Sequence, residues 1–305
     1  MRGARGAVAA TVLSGLLWGS SFVVIKLGLR TIDPYWFVTL RFGLAAAIAL
    51  AFMACTGATR RLLGLLRSPA VLWLGVTNAI AFIFQFKGQS LTTAGKAALF
   101  VNSSTILVAI ASRFVFRERL GGLKAMAVAV GMAGVLLVTT GGRFRVSPGP
   151  ELRGDLLVLA GAAAWTFYIL LDKKIVTESD VDLRALTAAM AVVTAIASVP
   201  AALVLGGPFP APSGAWWAIA YTAVLCTIIP YFLWTWGLRY ISATVSSVIL
   251  LIEVVFAMAL AATVLAERPA ASTLVGGLCI VFAIVLASRG ARAEIAAGPD
   301  VVPEQ

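Results

Sequence analysis

Ten successive apolar runs of about 21 residues, joined by short connections, constrain this chain more than any other feature. They fall near 7–27, 34–54, 70–91, 94–116, 121–140, 154–175, 183–205, 214–236, 241–265 and 270–289. About 20 mostly apolar residues are needed for a helix to cross a bilayer. With 61% of its residues hydrophobic and only 12% charged, the chain is far from the roughly 45–50% apolar and 25% charged make-up of soluble domains. The sequence therefore excludes an ordinary water-soluble fold and predicts an all-α polytopic membrane protein with ten transmembrane helices. Arg2 and Arg5 ahead of the first run resemble the start of a signal peptide. That run is too long for one, and the nine behind it favour a retained first helix. Residues 290–305 are polar and rich in Ala, Gly and Pro, and are read as a disordered tail.

The charges are unbalanced, with 24 Lys and Arg against 13 Asp and Glu, a net charge of +11. In a soluble chain this would point to nucleic acid. Here the basic residues sort by loop. Fifteen fall on the side shared by the two termini, eight on the other, and Arg41 lies within a span. Cytoplasmic loops carry the excess of Lys and Arg, so both termini are expected in the cytoplasm, the chain in the cell inner (plasma) membrane, and no nucleic-acid partner is called for. The absence of histidine removes imidazole as a base, zinc ligand or pH switch. Cys55, Cys226 and Cys279 are odd in number, widely spaced and set in apolar runs, so they are read as packing residues. No cofactor and no metal is expected.

The chain also matches itself. WGSSFVVIKLG from Trp18 aligns with WTFYILLDKKI from Trp165 at an offset of 147, and Thr93–Arg119 aligns with Ser242–Arg268 at an offset of 149. The second pairing sets Glu118-Arg119 on Glu267-Arg268 and Gly88 on Gly237. Five spans per half is an odd number, so the second half enters the membrane inverted. The expected organisation is a first five-helix repeat over 1–145, a second, inverted repeat over 146–289, and the tail over 290–305. Inverted repeats place a site at their interface near the midplane and permit alternating access.

Several stretches carry a resemblance. They are SGLLWGSSFVVIKLGL in the first span, RFGLAAAIAL from Arg41, FRERL from Phe116, YFLWTWGLRYISATVSSVILL from Tyr231 and LAERP from Leu265. Up to about Ser288 the sequence resembles the EamA-type transporters of the drug/metabolite transporter superfamily, ten-helix exporters built from two inverted repeats. The resemblance implies a helix-bending proline thirteen residues before each closing Glu; Thr105 and Val254 stand there instead.

Polar residues within spans face the bundle interior or a cavity, and helical spacing shows which of them share a face. Ser14, Trp18 and Ser21 form one stripe; Gly161, Trp165, Tyr168 and Asp172 form its counterpart in the other half. Asn78, Phe82, Gln85 and Gln89 form a third, matched by Thr227, Tyr231 and Trp234. Asn102 and Thr105 lie in the fourth span, and Ser242, Ser246 and Glu253 in the ninth. From these the candidate substrate-binding residues are Trp18, Ser21, Asn78, Phe82, Gln85, Asn102, Trp165, Tyr168, Tyr231, Trp234, Ser246 and Glu253. The competing reading is helix–helix packing through small and hydrogen-bonding residues. Glu253 is taken as the one acidic residue near mid-span. Three roles are open to it: proton coupling, contact with a substrate ammonium group, or pairing with a neighbouring donor. Arg41 has three as well: snorkelling outward, attracting an anionic group, or anchoring the fold. Tyr35, Trp36, Trp73, Trp216 and Trp217 read as an interfacial belt.

A lining of rings, amides and hydroxyls with little fixed charge suits a zwitterion with a hydrophobic side chain. The expected function is export of small amphipathic metabolites by alternating access. Resemblance to amino-acid exporters of the superfamily narrows this to amino acids, aromatic or hydrophobic, over a broad range. The alternatives are a proton-coupled multidrug transporter, a nucleotide or phosphometabolite transporter, and a membrane-embedded enzyme. A phosphorylated substrate needs converging basic residues, for which only Arg41 is available. Enzyme chemistry is poorly served without histidine, so the chain is read as a non-enzyme. Ten helices can enclose a cavity alone, which predicts a monomer.

Overall fold

The computed structural model describes residues 2–92, 97, 100–117, 121–140, 150–211, 214–264 and 271–297. Among these, all regular secondary structure is helical. The elements are α1 (Arg2–Gly28), α2 (Pro34–Cys55), a short α3 (Thr59–Leu65), α4 (Pro69–Leu91), α5 (Ser104–Val115), α6 (Gly122–Thr140), α7 (Pro150–Glu178) and α8 (Leu183–Leu205). They continue with α9 (Trp216–Ala223), a π-helical turn (Val224–Ile228), α10 (Ile229–Leu238), α11 (Ala243–Leu250), α12 (Ile252–Val264) and α13 (Ala271–Ala297). Six stretches are long and apolar enough to cross a membrane: Arg5–Gly28, Pro34–Cys55, Pro69–Leu91, Leu152–Glu178, Leu183–Leu205 and Trp216–Leu238. Four shorter apolar helices accompany them: Phe100–Val115, Gly122–Leu137, Ala243–Ala257 and Leu274–Ala287.

Local sequence explains several helix starts. Asp33 caps α2 by accepting from Tyr35 N at 2.9 Å, with Pro34 at the first helical position. Pro69 occupies the same place in α4. Proline fits there because its missing N–H would have no intrahelical partner. Asp182 caps α8 through Arg184 N at 3.0 Å and pairs with Arg61 of α3 at 2.9 Å. Hydrogen bonds from Arg184, then Arg61, hold its carboxyl well below the usual carboxylate range.

The outside of the bundle is apolar and the inside partly polar, the reverse of a soluble protein. Ile196 and Val204 are 67% and 79% exposed on the outer face, while Asn78, Thr194 and Ser246 are buried. Trp73 and Trp217 are exposed, as a belt position requires, whereas Tyr35 is buried with the Lys87 ammonium 5.6 Å from its ring.

Packing comes in matched pairs. α4 runs along α7 while α10 runs along α1; α5 packs on α7 while α12 packs on α1; α2 meets α8 and α6 meets α13. Two glycines show how close the first pair of crossings is. A Cβ on Gly88 would lie 2.8 Å from Gly154 O in α7, and one on Gly237 would lie 3.2 Å from Ala7 O in α1. Only a residue without a side chain lets backbones approach this far.

Four findings depart from the sequence reading. The ninth apolar run is not one helix: it breaks at Leu251, where Leu251 N bonds Val248 O and Val254 N bonds Leu251 O in the tighter i to i+3 pattern. The fourth turns in the same way at Ser103, whose N bonds Phe100 O at 3.2 Å. Both helices are thus interrupted just before the positions where proline is missing. The eighth run carries the π turn, which the spacing did not suggest. Finally, α13 continues to Ala297, through the first part of the segment read as a disordered tail; residues 298–305 lie outside the described residues.

Candidate functional site

The π turn stands behind the site and holds two of its lining residues, and its cause is local. Pro230 has no N–H, so Cys226 O loses the partner that an α-helix would supply four residues on. The chain widens, with Ile229 N reaching back to Val224 O, a rearrangement typical of functional sites. Two side chains take the freed carbonyl: Trp18 Nε1 donates to Cys226 O at 2.9 Å and Arg41 Nη2 at 2.6 Å. Arg41 Nε donates to Thr227 Oγ1 at 2.8 Å. The guanidinium carbon lies 4.8 Å from the Phe82 ring and 5.4 Å from the Phe42 ring. Arg41 therefore does not snorkel outward; it is 1% exposed. An arginine at helix centre costs roughly 2.5–3.5 kcal/mol on insertion scales. Each hydrogen bond to a charged group returns about 1.5–3 kcal/mol, so two of them suffice to hold it inside.

The two helix breaks contribute lining of their own. At these breaks α5 and α11–α12 meet: Thr105 Oγ1 donates to Ser247 O at 3.4 Å, and Asn102 hydrogen-bonds the Glu253 carboxyl. The break at Leu251 places Glu253 in the first turn of α12, where the unpaired N–H groups and helix dipole favour negative charge.

These helices line a cavity of about 80 Å³. That is room for several waters and less than the 300–1,000 Å³ of clefts that seat drug-sized ligands. Of the twelve candidate residues, Trp18, Ser21, Phe82, Gln85, Asn102, Trp165, Trp234 and Glu253 line it. The other four stand one layer back. Tyr231 donates to Asn78 Oδ1 at 2.8 Å, and Asn78 Nδ2 donates to Thr194 Oγ1 at 3.0 Å, tying α10, α4 and α8 together. Ser246 accepts from Trp234 Nε1 at 2.8 Å, and Tyr168 stacks on Trp234 at 5.9 Å. Trp165 Nε1 donates to Gln85 Oε1 at 2.9 Å.

Several lining residues were not among the candidates, notably Phe22, Thr105, Ser247 and Arg41. Pro230, four residues after Cys226 within an apolar run, was the one local signal that could have located the π turn. Glu253 is also not the sole deep carboxyl. Asp172 is 1% exposed, with Oδ2 accepting from Thr235 at 2.9 Å and Oδ1 unpartnered. Because α7 runs on to Glu178, Asp172 lies six residues inside its end, about 9 Å at 1.5 Å per residue. Ser14, from the first stripe, donates to Pro230 O at 3.0 Å and is a packing residue. Among the described residues no group of three metal-ligating side chains occurs.

Comparisons with known proteins agree with this architecture. A transporter of Archaeoglobus fulgidus, described as uncharacterized, is 27% identical over 284 residues, covering 90% of this chain and 94% of its own. A protein of Escherichia coli described as a "probable amino-acid metabolite efflux pump" is 29% identical over 291 residues, covering 91% and 93%. An uncharacterized inner membrane transporter of Escherichia coli is 26% identical over 279 residues, covering 90% and 88%. One solved crystal structure superposes with a TM-score of 0.78 at 20% identity, over 94% of this chain and 98% of that one, and so shares the fold. The family description "EamA-like transporter family" matches twice, over residues 5–140 and 152–289. On that match, which spans most of its length, the chain belongs to the EamA-like transporter family.

Proposed function

We propose that this chain exports small amphipathic metabolites, amino acids with aromatic or hydrophobic side chains in a broad range, by alternating access across the inner membrane. The observation that carries the reading is the cavity lining, where the rings of Trp18, Phe82, Trp165 and Trp234 stand beside a few amides and hydroxyls. Rings supply stacking area for an apolar side chain, and Gln85, Asn102 and Ser21 supply bonds for its polar end. The efflux pump from Escherichia coli lends its substrate class to this reading, and the inner membrane transporter its location. The lining contains one fixed cation, Arg41, which argues against phosphorylated or nucleotide-linked substrates.

The six long and four shorter apolar helices together make ten crossings in this reading, five in each of two inverted halves, with both termini cytoplasmic. Support comes from the double family match and from the paired crossings at Gly88 and Gly237. The interruptions at Ser103, Leu251 and Val224–Ile228 are the points where rigid halves would bend about the central site. One copy supplies the described lining of the cavity by itself, which supports a monomer as the working unit in this reading.

The test is counterflow in liposomes containing the purified chain. Uptake of labelled phenylalanine or leucine against unlabelled amino acid inside, well above empty vesicles, is the expected result. Exchange no greater than in empty vesicles with every amino acid tried would refute it.

A further inference from the structure

The cavity holds a basic and an acidic side chain that do not pair with each other. Arg41 and Glu253 both line it, yet among the described residues the ion pairs are those of Asp182 with Arg61 and Arg184. Each is oriented by neighbours that leave it partly unused. The Arg41 fork is fixed by Cys226 O and Thr227 Oγ1 through Nη2 and Nε, so Nη1 keeps its donors without a described partner. Glu253 is held by Asn102 and by the start of α12. Arg41 comes from α2 and leans on the π turn, whereas Glu253 follows the break at Leu251. They reach the one cavity from different helices, and Trp18, Phe82 and Trp165 line it with them.

A guanidinium with no counter-anion inside a bilayer is an electrostatic vacancy, and so is a carboxylate with no cation. From this geometry we infer that Arg41 binds the α-carboxylate of the transported amino acid and Glu253 its α-ammonium. The inference rests on the amino-acid reading above and deepens it. Arg41 supplies a planar donor whose free edge suits a carboxylate; Glu253 supplies the matching acceptor. The substrate's two charges then partner both side chains at once, while its side chain stacks against Trp18, Phe82 and Trp165. A charge pair completed only by the guest selects for intact zwitterions. It rejects amines and carboxylic acids of the same shape, because each would leave one buried charge unpaired. The π turn is part of the device. Without the carbonyl that Pro230 frees, the guanidinium would keep Thr227 Oγ1 as its one described acceptor and lose half of the fork that holds it at the cavity.

The test is competition for labelled phenylalanine counterflow by three ligands sharing one ring. They are unlabelled phenylalanine, phenylalaninamide (no carboxylate) and 3-phenylpropionate (no ammonium). In the wild-type chain phenylalanine should compete about 10- to 100-fold better than either analogue, the range for one lost charge-assisted contact. In Arg41→Gln the advantage over phenylalaninamide should fall to within about threefold, and in Glu253→Gln the advantage over 3-phenylpropionate should fall likewise. Ratios within one variant are independent of how much protein inserts, and the wild-type ratios decide the matter if a variant does not fold. Equal competition by all three ligands in a wild-type chain that exchanges phenylalanine would overturn the charge-pair inference alone. So would ratios that survive both substitutions. A wild-type chain that exchanges no amino acid would instead overturn the transport reading, and this inference with it.

Discussion

Trp18 and Trp165, 147 residues apart in sequence, both line the cavity and meet their matched neighbours in the same way. Trp18 lies edge-on to Tyr231 at 5.2 Å and 77°, and Trp165 lies edge-on to Phe82 at 5.0 Å and 76°. Tyr231 and Phe82 are themselves 149 apart, the second of the two offsets seen in the sequence. The indole N–H groups differ. Trp18 donates to a backbone carbonyl of the π turn, Trp165 to the Gln85 amide. Ring positions are thus matched in the two halves, while the polar wiring behind them is not.

That difference can be measured. Trp18→Phe and Trp165→Phe each keep a ring and lose one hydrogen bond, a net effect of about 0.5–1.5 kcal/mol. Each should raise the half-saturating substrate concentration about two- to tenfold. Transport titrations of the two variants check this.

Pro230→Ala restores an N–H four residues after Cys226 and lets the π turn close into an α-helix. Cys226 O would then be claimed by the backbone, in competition with Trp18 and Arg41. Thermal stability should hold or rise, since proline inside a helix costs about 3 kcal/mol, while transport falls at least tenfold. Paired melting and counterflow measurements test the separation.

Gly88→Val should destabilise the chain more than Gly64→Val. At Gly88 even a Cβ would stand 2.5 Å from Val158 Cγ2 and 2.8 Å from Gly154 O, whereas at Gly64 it would meet nothing within 4 Å. Overpacking of this kind costs about 1–3 kcal/mol or more. Thermal unfolding in detergent gives the comparison.

Asp182→Ala removes a helix cap, about 1 kcal/mol, together with exposed ion pairs worth little. Asp182→Asn keeps the cap and should lose less. Because the folded state holds this carboxyl below its ordinary range, its contribution is present above about pH 4 and fades as pH falls below that. Melting curves of the alanine variant and the parent should therefore converge in acid.

Asp172→Asn keeps an acceptor for Thr235 and removes a buried ionisable group whose Oδ1 has no partner. The neutral amide should leave melting unchanged or raise it, since a buried charge without full pairing is costly. A large loss of stability would show that the charge itself holds α7 to α10.

Much of this was legible in the chain because hydrophobicity is a local property. The limits of α8 at 183 and 205 and of α2 near 34 and 55 follow from apolar length, caps and prolines. The stripes brought Trp18, Phe82, Gln85, Trp165 and Trp234 to one cavity because helical spacing fixes which face a residue shares. Spacing cannot say how deep a face is, and so Asn78, Tyr168, Tyr231 and Ser246 share those stripes yet stand behind the lining.

Composition and the length of the apolar runs alone pointed to a helical membrane protein, since a bilayer accepts only segments of one length and polarity. Whether Arg41 points out to water or in to the cavity was decided elsewhere, by a carbonyl that Pro230 leaves free 185 residues away. The breaks at Ser103 and Leu251 arise without proline, where two helices meet and exchange hydrogen bonds across the gap. Such acceptors exist only once distant segments are packed. For that reason the positions of Arg41 and Glu253 belong to the tertiary structure.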